Sequence, residues 1–359
     1  MEEKVIAYKG FNKDLTCRGF QYEIGKEYEE KEVLLCESGF HACENPFDVL
    51  DFYGDIPNNR FCKVEQSGVI KKDDKKQVSS KNKVVAEIGF AGLFKAGVEW
   101  IKEITKPETI IEETKIGSSG NDAKIGSSGN DAKIGSSRNC AKIGSSGDCA
   151  QIGSSGDCAQ IGSSGDCAQI GSSGDSAKIG SSGYSAQIGS SGYSAQIGSS
   201  GNDAQIGSSG DSAQIGSSGD CAQIGSSGND AKIGSSGDCA KIGSSGNDAK
   251  IGSSGDCAKI GSSGNDAQIG SSGDSAKIGS SGNCAKIDST GEDSVICCAG
   301  SNSIVKAKKG SWITLSEWKY SEEKKRSVPV CVKTEFVDGE RIKADTWYKL
   351  EKGKFVEVK

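Results

Sequence analysis

Residues 241–249 read Lys241-Ile242-Gly243-Ser244-Ser245-Gly246-Asn247-Asp248-Ala249, and residues 250–258 repeat the phrase with Asp256-Cys257 in place of Asn247-Asp248. An isoleucine recurs every nine residues from Ile116 to Ile287, twenty in all, without an insertion. The glycine after it holds through Ile278, and the alanine two residues before it holds from Ile125 onward. Ile296 and Val305 keep the frame, so the pattern fades out beyond 287. Repeats of fixed period decide architecture before any other signal.

A flexible Gly/Ser linker has this composition but tolerates drift. The unbroken period excludes it, and the glycines and serines exclude a helix. Alternation in Ala-Lys/Gln-Ile points Ala and Ile inward and Lys/Gln outward as a strand, and Gly-Ser-Ser-Gly-Asn/Asp is turn chemistry. Burying one isoleucine yields about 1.5–3 kcal/mol, against roughly 9–18 kcal/mol to order nine backbones. No unit folds alone, so each must stack on the next. The variable pairs alternate as Asn229-Asp230, Asp238-Cys239, Asn247-Asp248, Asp256-Cys257, a period of eighteen. The expected fold is mainly β: a parallel β-solenoid of nine-residue repeats, two per 18-residue coil. Ten coils at about 4.8 Å each span about 48 Å.

Outward from the repeat, the chain divides into an N-terminal α+β domain (1–114), the solenoid (115–305) and a C-terminal β-rich cap (306–359). In the first, strands are expected at Lys4–Lys9, Gln21–Glu30, Ser38–Cys43, Arg60–Gln66 and Lys83–Ile88. A helix Phe47–Tyr53 opens on Asn45-Pro46, with Asn as cap and Pro at its first position. Phe94, Val98, Ile101 and Ile104 stripe an amphipathic helix Ala91–Thr105, placed to cap the open end of the solenoid. In the tail, strands are expected at Trp312–Trp318, Val328–Val337, Thr346–Leu350 and Phe355–Val358. Asp338-Gly339 and Lys352-Gly353 read as hairpin turns, Trp312, Trp318 and Trp347 as a small core, and Lys324-Lys325-Arg326 as a solvated loop.

The 359 residues include 51 Gly, 15 Cys and one His; 34% are hydrophobic, 6% aromatic, and the net charge is −6. One large conventional core is excluded. Positions 1–18 are charged and mixed, so no signal peptide is expected, and no apolar run reaches the length of a membrane span. Fifteen cysteines without a secretory signal indicate a reducing cytoplasm. The charge gives no basic nucleic-acid surface. Fifteen Asp along the repeats give one charge per about 3 Å, sparser than the ~1.7 Å of duplex DNA, and twelve basic residues offset most of them. That speaks against a nucleic-acid mimic.

The repeat resembles the calcium-binding nonapeptide of RTX toxins in length and in its single aliphatic residue. It departs at the ligands: two glycines become serines, and the calcium-binding aspartate becomes Ala123, Ala132 and their equivalents. Calcium wants six to eight oxygens, so no metal is expected. The repeat cysteines share a position with Asp and Ser and read as exposed or half-buried thiols without a metal or redox role. Candidate interaction residues are the outward Lys115, Lys124, Lys133 and Lys142, and Tyr184 and Tyr193, two aromatics placed to anchor a partner at one rim.

The N-terminal segment resembles a domain of unknown function common in phage and prophage genes of Firmicutes. The matching residues are Tyr8-Lys9-Gly10-Phe11, Cys17-Arg18-Gly19-Phe20-Gln21-Tyr22 and Gly39-Phe40-His41-Ala42-Cys43-Glu44-Asn45-Pro46. That resemblance implies a phage or prophage source and the layout of domain, Gly/Ser-rich repeats and β-rich tail ending near Ala344-Asp345-Thr346-Trp347-Tyr348. It carries no established activity. His41, on a strand followed by a helix, is also similar to its counterpart in ADP-ribosyltransferase-like folds, although their full residue set is not assembled here. Cys17, Cys36, His41, Cys43 and Cys62 lack the paired spacing of a zinc site.

The expectation is therefore a non-enzymatic solenoid binding protein without cofactor, acting in the host bacterial cytoplasm. It engages a host protein or complex, inhibits an antiviral defence system, and self-associates through exposed strand faces. The rivals are an ADP-ribosyltransferase-like enzyme at His41 on a solenoid spacer, a nucleic-acid mimic, and a virion structural protein.

Overall fold

The computed structural model describes residues 4–34, 38–54, 58–73, 75–104, 115–118 and 120–358. The chain is mainly β, with a parallel solenoid of about 11 turns. Two compact units are distinguished: residues 1–170 with 178–186 and 198–200, and residues 171–177, 187–197 and 201–359.

Within each unit the same coil recurs. Strands of four residues, such as Lys133–Ser136 and Lys259–Ser262, pair in parallel with the strand eighteen residues away. Ile134 thus lies beside Ile152 in the first unit, and Ile242 beside Ile260 in the second. The isoleucines are at most 6% exposed from Ile125 on, and the alanines from Ala132 on are fully buried. Ile296 and Val305 are buried in the same frame.

The strand is shifted from its expected place. It starts at Lys/Gln and runs through Gly to the first Ser, whose side chain points inward beside isoleucine and is buried. Alanine precedes the strand, and its carbonyl accepts from the Lys/Gln N–H one coil on, as in Gln151 N to Ala132 O at 2.8 Å. A small inward residue is what a thin spine requires, and serine fits there as well as in a turn.

The turn is held by two rows of bonds. Asn or Asp Oδ1 accepts the backbone N–H eighteen residues on, as in Asp256 N to Asp238 Oδ1 at 2.9 Å. The next residue, which is Asp, Cys or Ser, takes φ of +55 to +60° in every repeat from Asp122 to Cys284 except at Ser185 and Ser194, a left-handed conformation that costs most L-residues about 1–2 kcal/mol. Its N–H reaches the next coil, as in Cys239 N to Asp256 O at 2.8 Å.

The two glycines of a repeat have different causes. A Cβ on Gly264 would overlap the Gly246 carbonyl one coil below, whereas a Cβ on Gly261 would meet nothing within 4 Å. Arg138 occupies the first kind of position. The coil contacts beside it are long, with Ser137 N to Ser118 O at 3.4 Å and Asp122 N to Asn139 O at 3.2 Å. The equivalents further on, Ser263 N to Ser244 O and Cys257 N to Asp274 O, are 3.0 and 2.8 Å.

In the first unit, the N-terminal sheet orders Val5–Asn12, Asn59–Lys72, Gln77–Glu87 and Glu27–Glu29, with Phe40–Ala42 also pairing to Gln77–Glu87. Asn45 caps the turn that follows, accepting from Phe47 N at 3.1 Å. The helix it starts is 3-10, Pro46–Asp51, shorter than expected. The amphipathic helix is Gly89–Ile104, with Phe94, Val98 and Ile101 buried.

That helix does not cap the solenoid end. It lies along the side of the coils, against the strands Lys142–Ser145, Gln160–Ser163 and Lys178–Ser181. The outward glycines leave a trench there. Val98 Cα lies 3.4 Å from where a Cβ of Gly162 would be, and Val98 Cγ2 2.7 Å from that of Gly180. The Phe94 ring fills the space of a Cβ on Gly198. The trench takes an apolar ridge that an end cap would also have offered, so the stripe alone did not distinguish the two.

One buried cation pins the contact. Lys178 Nζ lies 3.4 Å from Asp48 Oδ1, 3.1 Å from Asp51 Oδ1 and 3.1 Å from the Phe47 carbonyl. Burial pushes the Asp48 carboxyl up and outweighs the pull of Lys178. Burial acts upward on Asp51 too, but its hydrogen bonds to Lys75 and Lys178 win and hold it low.

The second unit ends by turning antiparallel. Trp312–Ser321 continues one stack in parallel with Val295–Cys298 and then pairs antiparallel with Arg326–Phe336. In the other stack, Tyr348 lies antiparallel to Val305, and Tyr348–Glu351 forms a hairpin with Lys354–Glu357. The tryptophans are not its core. Trp312 is 48% exposed against Phe336, Trp347 lies under the Lys286 and Lys306 ammoniums, and Trp318 is half-buried. Ile313, Leu315, Val337, Ile342, Tyr348 and Leu350 form the core, since inward positions of a thin stack have no room for indole. Lys352-Gly353 is the expected hairpin turn, with φ of +51 and +65°. Asp338-Gly339 is not; Asp338 Oδ1 accepts the N–H groups of Glu340, Arg341 and Ile342 and folds a loop. Lys324 and Lys325 belong to the exposed turn between the two long strands.

Four substitutions test this account. Gly264→Ala is expected to cost about 1–3 kcal/mol, the range for forced overpacking, whereas Gly261→Ala stays within about 0.5 kcal/mol; amide exchange of the flanking rungs reads both. Arg138→Gly is expected to slow exchange at Ser137 and Asp122. Lys178→Gln leaves Asp48 buried without its cation, and the expected loss of about 3–5 kcal/mol shows as proteolytic opening around Pro46–Asp51.

Candidate functional site

The N-terminal domain holds a cavity of about 500 Å³ on the side of its sheet that carries Phe40–Ala42. The sheet and the turn around Gly19 bring its walls together. Phe20, Tyr22 and Tyr28 stack edge to face, with ring centroids 4.9–5.5 Å apart, and Phe40 and Phe52 complete the apolar lining. Gly10 lets the Tyr53 ring approach, because any Cβ there would overlap it.

Lys9 lies in the floor, on the strand Val5–Asn12. It is only 6% exposed, and its Nζ donates to the His41 carbonyl at 2.8 Å. Burial pushes its pKa down, and a hydrogen bond and charge interaction with Cys17 act in the opposite direction. The Cys17 thiol in turn lies 3.0 Å from the Tyr53 hydroxyl. Burial pushes the Tyr53 hydroxyl up. Lys9, Cys17 and Tyr53 thus form one polar chain beneath aromatic walls.

His41 is half-buried on the strand Phe40–Ala42 and lines the same cavity. Its pKa is lowered by burial first, then by the charges of Lys9, Arg18 and Lys76. It is therefore neutral near pH 7. Arg18 and Lys76 also line the cavity, as do Glu29 and Glu30. Burial pushes the Cys43 thiol up to about 12, so it stays protonated. Cationic groups face a slot walled by rings, which suits a flat ligand carrying an anionic group.

The other expected residues lie elsewhere. Lys133 is exposed on one stack; Lys124 is exposed and Lys142 half-buried on the other, where Lys142 Nζ sits 5.3 Å from the Trp100 ring centroid. The alternation between stacks means the four lysines do not form one strip; the side chain of Lys115 lies outside the described residues. Tyr184 and Tyr193 are 54% and 58% exposed. In the first unit Tyr184 N donates to Asp166 Oδ1, and in the second Tyr193 N donates to Asp175 Oδ1. Of the zinc set, Cys17, His41 and Cys43 line the cavity, Cys62 is in the core, and Cys36 lies outside the described residues. Among the described residues, no three or more His, Cys, Asp or Glu side chains are placed to hold a metal ion.

Sequence reading singled out His41 and, as possible zinc ligands, Cys17 and Cys43, but missed Lys9, Arg18 and Tyr53. Its signal was present: a lysine inside the apolar alternation Val5-Ile6-Ala7-Tyr8-Lys9-Gly10-Phe11, where a buried charge demands a reason.

Residues 5–96 match a family described as a domain of unknown function (DUF7666). The segments Tyr8–Phe11, Cys17–Tyr22 and Gly39–Pro46 all fall inside that match, and the solenoid follows it. Comparison with curated proteins and with solved structures finds no match. No helix among the described residues is long and apolar enough to cross a membrane.

The chain has one histidine, so its proton resonances report the cavity without assignment. His41 is expected to titrate below 6.5. Lys9→Met removes a neighbouring positive charge and is expected to move that midpoint upward, as NMR titration reads directly.

Proposed function

We infer that this chain is a non-enzymatic binding protein whose N-terminal domain is the recognition module and whose solenoid is its scaffold. The observation that carries this reading is the cavity around Lys9, where a buried ammonium lies under aromatic walls. A charged group is costly to bury unless it is paired, and an anionic ligand supplies the pairing. A flat ring bearing phosphate, as in a nucleotide, meets both features.

The resemblance of Tyr8–Pro46 supports a phage or prophage source, and the cysteine usage supports a reducing host cytoplasm. In that setting the expected partner is a host protein or complex of an antiviral defence system. The exposed Tyr184 and Tyr193 and the exposed Lys124 and Lys133 are the surface groups proposed to contact it. Self-association through exposed strand faces belongs to the same proposal.

A second reading has its own observation: His41, Glu29 and Glu30 line the same cavity, which supports an ADP-ribosyltransferase-like activity there. Calorimetric titration with AMP and NAD separates the possibilities. Binding that weakens about tenfold or more in Lys9→Met, the loss of a hydrogen bond to a charged group, supports the binding module. NAD consumption abolished by His41→Ala supports the enzyme. No binding of either nucleotide at millimolar concentration would remove the nucleotide reading.

A further inference from the structure

The left-handed turn position of the repeat carries cysteines in register from coil to coil. In the first unit Cys140 and Cys158 stand eighteen residues apart in one column of turns, and Cys149 and Cys167 in the other. In the second unit Cys221, Cys239 and Cys257 stand on three successive coils. All share φ of +55 to +60°, so each is the translated image of its neighbour at the rung repeat of about 4.8 Å. Cys140 is half-buried and the others are exposed. Cys140 lies within electrostatic reach of Cys158, and Cys149 of Cys167.

We propose that these columns are two-coordinate sites for a thiophilic monovalent cation, copper(I) or silver(I), held in line between thiolates of adjacent coils. Distance decides against the obvious alternative. Pure translation keeps Cβ···Cβ at about the 4.8 Å of the rung repeat, beyond the roughly 3.5–4.5 Å that a disulfide needs. On the scale of a zinc–thiolate bond, about 2.3 Å, two metal–sulfur bonds laid end to end reach about 4.6 Å, close to the repeat. Soft thiolates select such ions. A tetrahedral zinc site is not offered, because among the described residues no three ligating side chains converge.

Charge fits as well. A monovalent ion between two thiolates leaves one net negative charge. The Cys221–Cys257 column borders a groove of about 600 Å³ lined by Lys241, Lys259 and Lys277. Lys75 lies within electrostatic reach of Cys158. Binding releases one proton per thiol and involves no electron transfer.

Serine occupies the same turn at Ser176, Ser212 and Ser275 with φ of +56 to +60°, so Cys→Ser variants keep the coil. The test titrates the reduced full-length protein with copper(I) under nitrogen against a chromophoric chelator. The wild type is expected to retain at least three ions. Cys140→Ser and Cys149→Ser each remove one. Cys239→Ser removes the binding of the whole second-unit column although Cys221 and Cys257 remain, because those two are then about 9.6 Å apart, two rung repeats. X-ray absorption should show two sulfur neighbours. An unchanged ion count in the Cys140→Ser/Cys149→Ser/Cys239→Ser variant overturns the proposal. So does retention in Cys239→Ser of binding in proportion to its remaining thiols.

Discussion

The whole solenoid rests on how closely one coil lies on the next. The carbonyl of a turn glycine sits where a Cβ of the glycine one coil above would have to be. That approach allows three sets of bonds to close at once: the strand ladder, the Asx side-chain ladder and the turn-to-turn N–H···O bonds. None of these exists within a single nine-residue unit. Each coil satisfies the backbone of its neighbours and buries one isoleucine and one alanine per strand, which is why length and period are inseparable here. Arg138 marks the point where the approach relaxes, and the lengthened contacts beside it show how local the constraint is.

The same small residues that let coils stack also shape their outer surface. A strand of Lys/Gln-Ile-Gly-Ser presents one long polar side chain and one glycine outward, which leaves a trench along the stack. In the first unit the helix Gly89–Ile104 fills that trench with Phe94 and Val98. Lys178, one of the outward cations, becomes the buried partner of Asp48 and Asp51. An outward position of the repeat thus acquires an interior role wherever another element covers it. The cavity above Lys9 belongs to the same domain as the helix that packs on those coils.

The repeat was legible because it is one-dimensional. Ile134 and Ile152 meet for the same reason as Ile242 and Ile260, so one reading of the period gives every rung. The limits appeared where a residue type serves two environments. Serine fits a turn and a thin core alike, which hid the inward Ser136 and its equivalents. Trp312 and Trp347 alternate like core residues, yet the stack is too thin for indole, and they lie on the surface under or beside other side chains. The Lys9 cavity was hardest to read because its members come from residues 8 to 76 and meet only when the sheet folds. His41 was visible as a single unusual residue; the polar chain Lys9–Cys17–Tyr53 was not, since no spacing in the sequence links its members.

By itself the sequence determined the solenoid, its 18-residue coil, the inward isoleucines and alanines, and the amphipathic stripe Phe94–Ile101. These follow from periodicity, which fixes contacts between neighbours along a regular lattice. Only the tertiary structure decided that the helix lies along the side of the coils, that Lys178 is buried, and that Lys9 lies beneath a ring-lined cavity. Those outcomes depend on which surfaces meet, and an apolar ridge fits a trench as well as an open end, so the choice is made by three-dimensional complementarity that no local pattern encodes.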